Sequence, residues 1–186
     1  MWKNVFPEYA VKQAFHEFNL DRGDEHIVTA MQTDLLTRII LNITKSSLIH
    51  CIIKKRKYIN DQDLEVGKSL SFFQSQDAPQ DAGHLLDSSI FHNIVQEHIE
   101  LCRSHISKYM EDHTLEKQYK ISAECLAKLQ SYTESMIRGF VYKLSLSAGN
   151  GIVTYKLFES VMASTLGDPS YLTHDSGFTP HIQSTK

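Results

Sequence analysis

The chain has 186 residues, of which 41% are hydrophobic and 22% charged, a composition that indicates a globular protein rather than a largely disordered one. Its formal net charge of −3 means that the molecule as a whole does not attract polyanions, so any binding of nucleic acid must come from a local patch. No apolar run reaches the roughly 18 residues needed to span a bilayer, and the first residues lack the apolar core of a signal peptide. We therefore expect neither membrane association nor secretion.

Cysteine usage indicates a reducing environment. The three cysteines, Cys51, Cys102 and Cys125, are an odd number and form no disulfide framework. We expect buried, reduced thiols in a cytosolic, nuclear or virion-interior protein.

The first half of the chain predicts a short helix, a long helix and another short helix. Residues 7–19 carry an apolar stripe typical of the first helix. Residues 29–55 are apolar on most sides, as expected of a helix at the centre of a core. Isoleucines lower helix propensity, so a strand around residues 48–53 is an alternative, although the length of the segment favours a helix. Asn60 or Asp61 can cap the last helix of this half, which extends to about residue 73.

The second half repeats this order of helices after a polar stretch, residues 74–88, which we interpret as a linker. Ser122 is the predicted cap of the long helix, whose apolar residues recur at steps of three and four. A glycine-rich break follows that helix, and residues 168–186 form a polar tail. The predicted helices of this half cover about residues 89–112, 122–146 and 154–166.

The repeated order of helices predicts an all-α protein built from two interlocked units. One unit alone cannot cover its long apolar central helix, whereas two units that cross these helices can bury both. We expect a first unit over residues 1–73 and a second over residues 89–167.

Two stretches carry a resemblance to a known family. Lys54–Leu64 resembles the second loop and third helix of histone-four-type proteins, in which a loop arginine pairs with an aspartate; Arg56 and Asp63 stand at those positions. Lys120–Phe140 is similar to the first loop and central helix of histone three, with Lys120 where that family has a minor-groove arginine. The chain thus resembles a histone doublet, two histone folds in one chain, as in some giant DNA viruses. It resembles more distantly the bacterial single-chain histone-fold proteins.

The resemblance implies an intramolecular handshake that binds double-stranded DNA without sequence preference and organises it in a nucleus, a nucleoid or a virion interior. It implies that Arg56 and Asp63 form a structural clamp, which the second half lacks because Asn150 and Leu157 stand at the matching positions. In a histone fold the second loop of one partner lies beside the first loop of the other, so basic residues of both loops would form one patch. The residues predicted to bind DNA are Lys54, Lys55, Arg56, Lys57, Lys117 and Lys120.

Two alternatives remain beside this interpretation. The basic cluster at residues 54–57 is also what a solvated helix end looks like, because cations are favoured at helix C-termini. For the whole chain, the net charge favours a second hypothesis, a protein-interaction scaffold in a transcription or replication assembly. That hypothesis expects an exposed apolar patch at Phe158, Val161 and Met162, which would contact other histone-fold proteins or a second copy of the chain.

No catalytic motif is found in the sequence: there is no glycine-rich phosphate loop, no HExxH motif, no nucleophile elbow and no CxxC pair. We therefore expect neither enzyme activity nor a cofactor. His98, Cys102 and His105 are spaced by four and three residues on one helix face, which could offer three metal ligands. Because the chain has 10 histidines, such spacing arises readily by chance, and we predict no metal site.

Overall fold

The computed structural model describes residues 6–22, 25–69, 83–108, 115–116 and 118–166, and this part of the chain is mostly helical, which confirms the all-α prediction. The helices are α1 (Glu8–Glu17), α2 (His26–Ala30), α3 (Thr37–Ile53), α4 (Asp61–Ser69), α5 (Ser88–Ser107), α6 (Ala123–Ser147) and α7 (Tyr155–Leu166). A π-helical segment, Met31–Leu36, joins α2 to α3 without a break. The loops hold short strands, β1 (Asp21–Arg22), β2 (Tyr58–Ile59), β3 (Lys120–Ile121) and β4 (Ile152–Val153).

The long central helix of the first half is formed by α2, the π-helical segment and α3 together. The strand alternative for residues 48–53 is wrong, because these residues belong to α3 and bury Leu48 and Cys51 in the core. The helix ends at Ile53 rather than at the predicted Lys55, because the chain turns at Lys54 and Lys55.

The strands pair across the two halves of the chain. β1, which precedes the first central helix, pairs in parallel with β4, which follows α6, so that Asp21 lies opposite Ile152. β2, which follows α3, pairs in parallel with β3, which precedes α6, so that Tyr58 lies opposite Lys120. At each end of the central helices, therefore, a loop strand of the first half pairs with a loop strand of the second half.

One hydrophobic core is shared by the two halves. It includes Ile40 and Ile43 from α3, Phe91 from α5 and Phe140 from α6, all at 2% exposure or less. Burial of these side chains from both halves is the main driving force that holds the halves together.

A polar stripe on α6 was not anticipated from the sequence. Gln130, Glu134 and Arg138 are buried at successive steps of four residues. The Gln130 side chain donates to the Leu86 carbonyl at 2.7 Å, and the Glu134 carboxylate accepts from the backbone N–H groups of Leu85 and Leu86. This stripe ties the segment before α5 to the central helix of the second half.

Arg138 extends the same stripe to the first half of the chain. Its guanidinium donates to both carboxylate oxygens of Glu17, at 2.9 and 3.0 Å, and to the Gly83 carbonyl. The stripe therefore joins α6 to the end of α1 as well as to the segment that enters α5.

The predicted linker, residues 74–88, lies largely outside the described residues, as does the predicted tail, residues 168–186. Its described end is not a solvated linker, because Leu85 and Leu86 are buried at 3% and 2% exposure. Asp87 caps α5 by accepting from the Ser89 N–H at 2.8 Å, so that this helix starts at Ser88.

The three cysteines are free and buried, as predicted. Burial raises the pKa of Cys51 to about 11 and those of Cys102 and Cys125 to about 12. The thiolate form is therefore scarce at neutral pH, and these residues act as core side chains. No helix in the described ranges is long and apolar enough to cross a lipid bilayer.

Candidate nucleic-acid interface

The β2–β3 pair brings two basic loops together at one end of the molecule. We call this region the basic end and define it as loops 54–60 and 115–122. The Lys120 N–H donates to the Lys57 carbonyl at 3.1 Å, which fixes the two loops side by side. The side chains of Lys54, Lys55, Lys57 and Lys120 are all exposed at this end. Of the residues predicted to bind DNA, Lys117 lies outside the described residues.

The two ends of the molecule carry opposite charge. We call the region of the β1–β4 pair the second end and define it as loops 18–25 and 148–154. The sequence of the basic end holds six cations and one anion, Glu116, whereas that of the second end holds one cation and three anions. The same pairing of loops thus produces a cationic surface at one end only.

Lys55 holds a backbone conformation that favours glycine. At the end of α3, the Lys55 N–H donates to the Ile52 carbonyl at 2.9 Å, and the Arg56 N–H donates to the Cys51 carbonyl at 3.1 Å. This pair of hydrogen bonds is a Schellman motif. The Lys55 φ of 57° lies in the left-handed region, which costs a non-glycine residue about 1–2 kcal/mol. The equivalent turn after α1 uses Asn19, a residue that tolerates this region better. This turn ends α3 and places the exposed Lys55 side chain on the loop that follows it.

Arg56 and Asp63 form the predicted clamp. The guanidinium donates through Nη1 to Asp63 Oδ2 at 2.7 Å and through Nη2 to Oδ1 at 2.9 Å, a bidentate pair. His50 Nδ1 lies 2.6 Å from Oδ1 as well, and the Asp63 side chain is fully buried. Burial by itself raises the pKa of Asp63, but the bonds from Arg56, from the Asn60 N–H and from His50 together hold that pKa below its usual value.

Asp63 of the clamp also takes part in the capping of α4. Asn60 Oδ1 accepts from the N–H groups of Gln62 and Asp63 at 3.0 and 3.3 Å, and Asp63 Oδ2 accepts from the Asn60 N–H at 2.9 Å. This reciprocal arrangement is a capping box, and it identifies Asn60 as the cap. Because the Arg56 guanidinium is turned toward Asp63, the clamp holds the shape of the basic loop while the lysines present the charge.

Where the first half has the clamp, the second half has a hydrogen-bonded turn at Asn150 and a helix cap at Thr154. Asn150 Oδ1 accepts from the Ile152 N–H at 3.1 Å, and Thr154 Oγ1 accepts from the Leu157 N–H at 3.2 Å. As predicted, residues 150 and 157 make no ion pair, since neither side chain is charged. The turn between α6 and α7 therefore rests on neutral hydrogen bonds.

Acidic residues reduce the charge of the basic end. Glu116 lies 3.8 Å from Lys57, measured between Oε2 and Nζ. Lys128 of α6 binds Asp61 of α4 at 2.5 Å, an ion pair between the two halves, and lies 3.7 Å from Glu124. Hydrogen bonding to Asp61 raises the pKa of Lys128, so this lysine is charged but already paired. Sequence reasoning missed these pairs, because Lys128 and Asp61 are far apart along the chain.

The predicted oligomer contact is wrong for two of its three residues. Phe158 is 2% exposed and Val161 is 7% exposed, whereas Met162 is partly buried. Phe158 meets Phe140 of α6 edge to face, with ring centroids 5.7 Å apart, so α7 turns this side chain toward its own core.

Other apolar side chains are exposed near the ends of the central helices. Ile53 at the end of α3 and Leu146 near the end of α6 are each 68% exposed. These two residues, rather than Phe158 and Val161, present apolar surface to the solvent.

His98, Cys102 and His105, the three residues with metal-ligand spacing, are not arranged as a metal site. His98 is buried, and its Nδ1 lies 2.7 Å from the Ile94 carbonyl of the same helix. Cys102 is fully buried, and burial together with the positive charges of Lys108 and Lys45 lowers the pKa of His105. Among the side chains that the structure describes, no group of three or more His, Cys, Asp or Glu residues is arranged to hold a metal ion.

No protein-family model, no curated protein and no solved structure matches this chain.

Proposed function

We propose that this chain is a histone-fold doublet that binds double-stranded DNA without sequence preference through its basic end. The observation that carries the proposal is the β2–β3 pair, which joins the basic loop 54–60 of one half to Lys120 of the other. In this architecture the chain would organise DNA in chromatin, in a nucleoid or in a virion.

The reciprocal pairing of strands supports the fold part of the proposal. In a histone handshake the first loop of each unit lies beside the second loop of the other, and β1–β4 and β2–β3 have this arrangement. The bidentate pair of Arg56 with Asp63 supports it further, because the resemblance to histone four implies an arginine–aspartate clamp at these two positions.

The basic end supports the DNA part of the proposal. Lys54, Lys55, Lys57 and Lys120 are exposed cations on adjacent loops, and the clamp beneath them fixes the loop that carries three of them. Lysines on such loops contact phosphate oxygens, which are the same along any sequence. The expected binding is therefore sensitive to salt and indifferent to sequence.

The test is binding of fluorescent duplex DNA at low salt, followed by fluorescence anisotropy. Lys55→Glu together with Lys57→Glu should abolish binding, while circular dichroism and the melting temperature stay unchanged because both side chains are exposed. The matched control is Lys143→Glu together with Lys156→Glu, which changes the net charge by the same amount away from the basic end. Equal loss of binding in both double variants, or no binding by the unaltered chain, would rule out the proposed interface.

A second candidate function is a protein-interaction scaffold of histone-fold type. Two observations favour it: the net charge of −3 and the 68% exposure of both Ile53 and Leu146. This candidate expects no affinity for duplex DNA even at low salt, together with association with another histone-fold protein or a second copy. Sedimentation velocity of the unaltered chain and of a variant with Ile53→Ser and Leu146→Ser tests the self-association arm.

A further inference from the structure

We infer that the chain binds duplex DNA at one end only and does not wrap the DNA around itself. This inference depends on the DNA binding proposed above, and it deepens that proposal by stating how much of the duplex the protein engages. It follows from the charge of the second end rather than from that of the basic end.

The second end has the loop arrangement of the basic end but not its charge. Its strands β1 and β4 pair in parallel, as β2 and β3 do, and the Asp21 N–H donates to the Gly151 carbonyl at 2.8 Å. Asp21 and Glu25 are exposed on these loops, where they repel phosphates. The sequence of these loops holds one cation, Arg22, against Asp21, Asp24 and Glu25, and Lys156, in the first turn of α7, is exposed near them. Even with Lys156 included, this end has no net positive charge to attract phosphates.

The distance between the ends decides what one end can do. β3 precedes α6 and β4 follows it, so the ends are separated by a helix of 25 residues. At 1.5 Å per residue this is about 37 Å, slightly more than the ~34 Å of one turn of B-DNA. A duplex must therefore touch both ends to be curved around the protein. Because the net charge is positive at one end only, the second end provides no attraction that offsets the energy needed to bend DNA toward it.

The number of exposed lysines sets the expected salt dependence. Lys54, Lys55, Lys57 and Lys120 provide four phosphate contacts, which predicts a slope of about −3.6 for log K against log salt concentration. A fourfold rise in salt should then weaken binding roughly 150-fold. One further contact from Lys117 would bring the slope to about −4.5. Contacts at both ends would give a clearly steeper dependence.

The experiment combines two measurements on the full chain. The first is the salt dependence of binding to duplexes of about one and about four helical turns, which should have the same slope because both span the single contact region. The second is relaxation of a closed circular plasmid by topoisomerase in the presence of the protein. We expect no constrained supercoils, since unwrapped DNA keeps its linking number free to relax.

Three variants make the inference falsifiable in both directions. Lys156→Glu at the second end should leave affinity and slope unchanged, whereas Lys120→Glu should reduce both. Asp21→Lys should increase the magnitude of the slope by about one unit on the longer duplex only, because it adds a cation where only longer DNA reaches. The Asp21 backbone bond to Gly151 does not depend on the side chain, so the strand pair should persist.

The outcomes separate the inference from the function on which it rests. Absence of binding to either duplex at low salt overturns the proposed DNA binding itself. Binding with constrained supercoils, a slope much steeper than five, or loss of affinity in Lys156→Glu overturns the one-ended contact and leaves the DNA-binding function standing. Binding with a slope near four and a freely relaxing plasmid supports both.

Discussion

Replacing Asp63 with alanine should destabilise the protein, because the buried carboxylate anchors the loop that carries the basic cluster. Its buried carboxylate accepts from the Arg56 guanidinium, from the Asn60 N–H and from His50, and all of these bonds are lost together. The substitution also removes half of the capping box of α4. The loop that carries the basic cluster would then have no buried anchor.

The magnitude follows from burial. Removing one partner of a buried ion pair costs about 3–5 kcal/mol. The side chains of Arg56 and His50 remain 29% and 22% exposed, so both can turn to water after the change, which favours the lower end, about 3 kcal/mol. For a chain of this size each kcal/mol lowers the melting temperature by roughly 2–4 °C, so a decrease of about 6–12 °C is expected.

Scanning calorimetry and urea denaturation measure this difference. The matched control is Asp61→Ala, two positions earlier in the same helix, where the carboxylate is half exposed and pairs with an exposed lysine. Such surface pairs contribute little, so the control should melt close to the unaltered protein. If Asp63→Ala and Asp61→Ala melt at the same temperature, the clamp contributes no stability and the reasoning is wrong.

The pH dependence of stability gives an independent check on the same carboxylate. The pKa of Asp63 is lower in the folded chain than its ordinary value, so the folded state binds its proton less readily than the unfolded state does. The resulting stabilisation is fully present above about pH 4, the ordinary aspartate pKa, and is lost as the pH falls through the lowered pKa. The Asp63→Ala variant should therefore lose less stability than the unaltered chain as the pH falls below about 4. Parallel stability curves for the two proteins would contradict this assignment.

Four further predictions concern other parts of the chain. Gly67→Ala should cost about 1–3 kcal/mol, because its methyl group would lie 2.6 Å from a backbone carbonyl of α3, whereas Gly149→Ala meets open space and should leave the denaturation midpoint nearly unchanged. Glu116→Gln should strengthen DNA binding at low salt, since it removes a carboxylate that lies 3.8 Å from Lys57 and repels phosphate; an unaltered affinity would exclude this loop from the interface. Lys55→Gly should weaken DNA binding without lowering the melting temperature, because glycine adopts the left-handed turn freely; a lower melting temperature would mean that the side chain is structural. The three buried thiols should react with a disulfide reagent only on unfolding, and rapid labelling of the native protein would contradict their burial.

Local patterns were sufficient to predict most of the helices and the caps of α4 and α6. The apolar residues of α6 recur with helical spacing, and the predicted cap Ser122 accepts from the Cys125 N–H at 3.2 Å. The pair of Arg56 and Asp63 was also predictable, since only seven positions separate its members and a familiar motif surrounds them. In each of these cases the interacting groups lie close together in the sequence.

Features that depend on distant partners could not be predicted. Glu134 and Arg138 look like the solvated face of an amphipathic helix, and only the fold shows that they bind groups 49 and 121 positions away. The burial of Phe158 and Val161 was missed for a related reason. An apolar stripe shows that a helix face is covered, but it does not say whether the cover is the same chain or another one.

The linkage of both halves in one chain has a consequence for symmetry. A homodimer with the same interlocked architecture would have a twofold axis, and its two ends would carry identical residues. Any lysine added to one end would then appear at the other. Because β2–β3 and β1–β4 are formed by different sequences within one polypeptide, each end can acquire its charge independently. The fold therefore permits a protein whose two ends differ in charge. Such a difference would orient one copy relative to the next on a duplex.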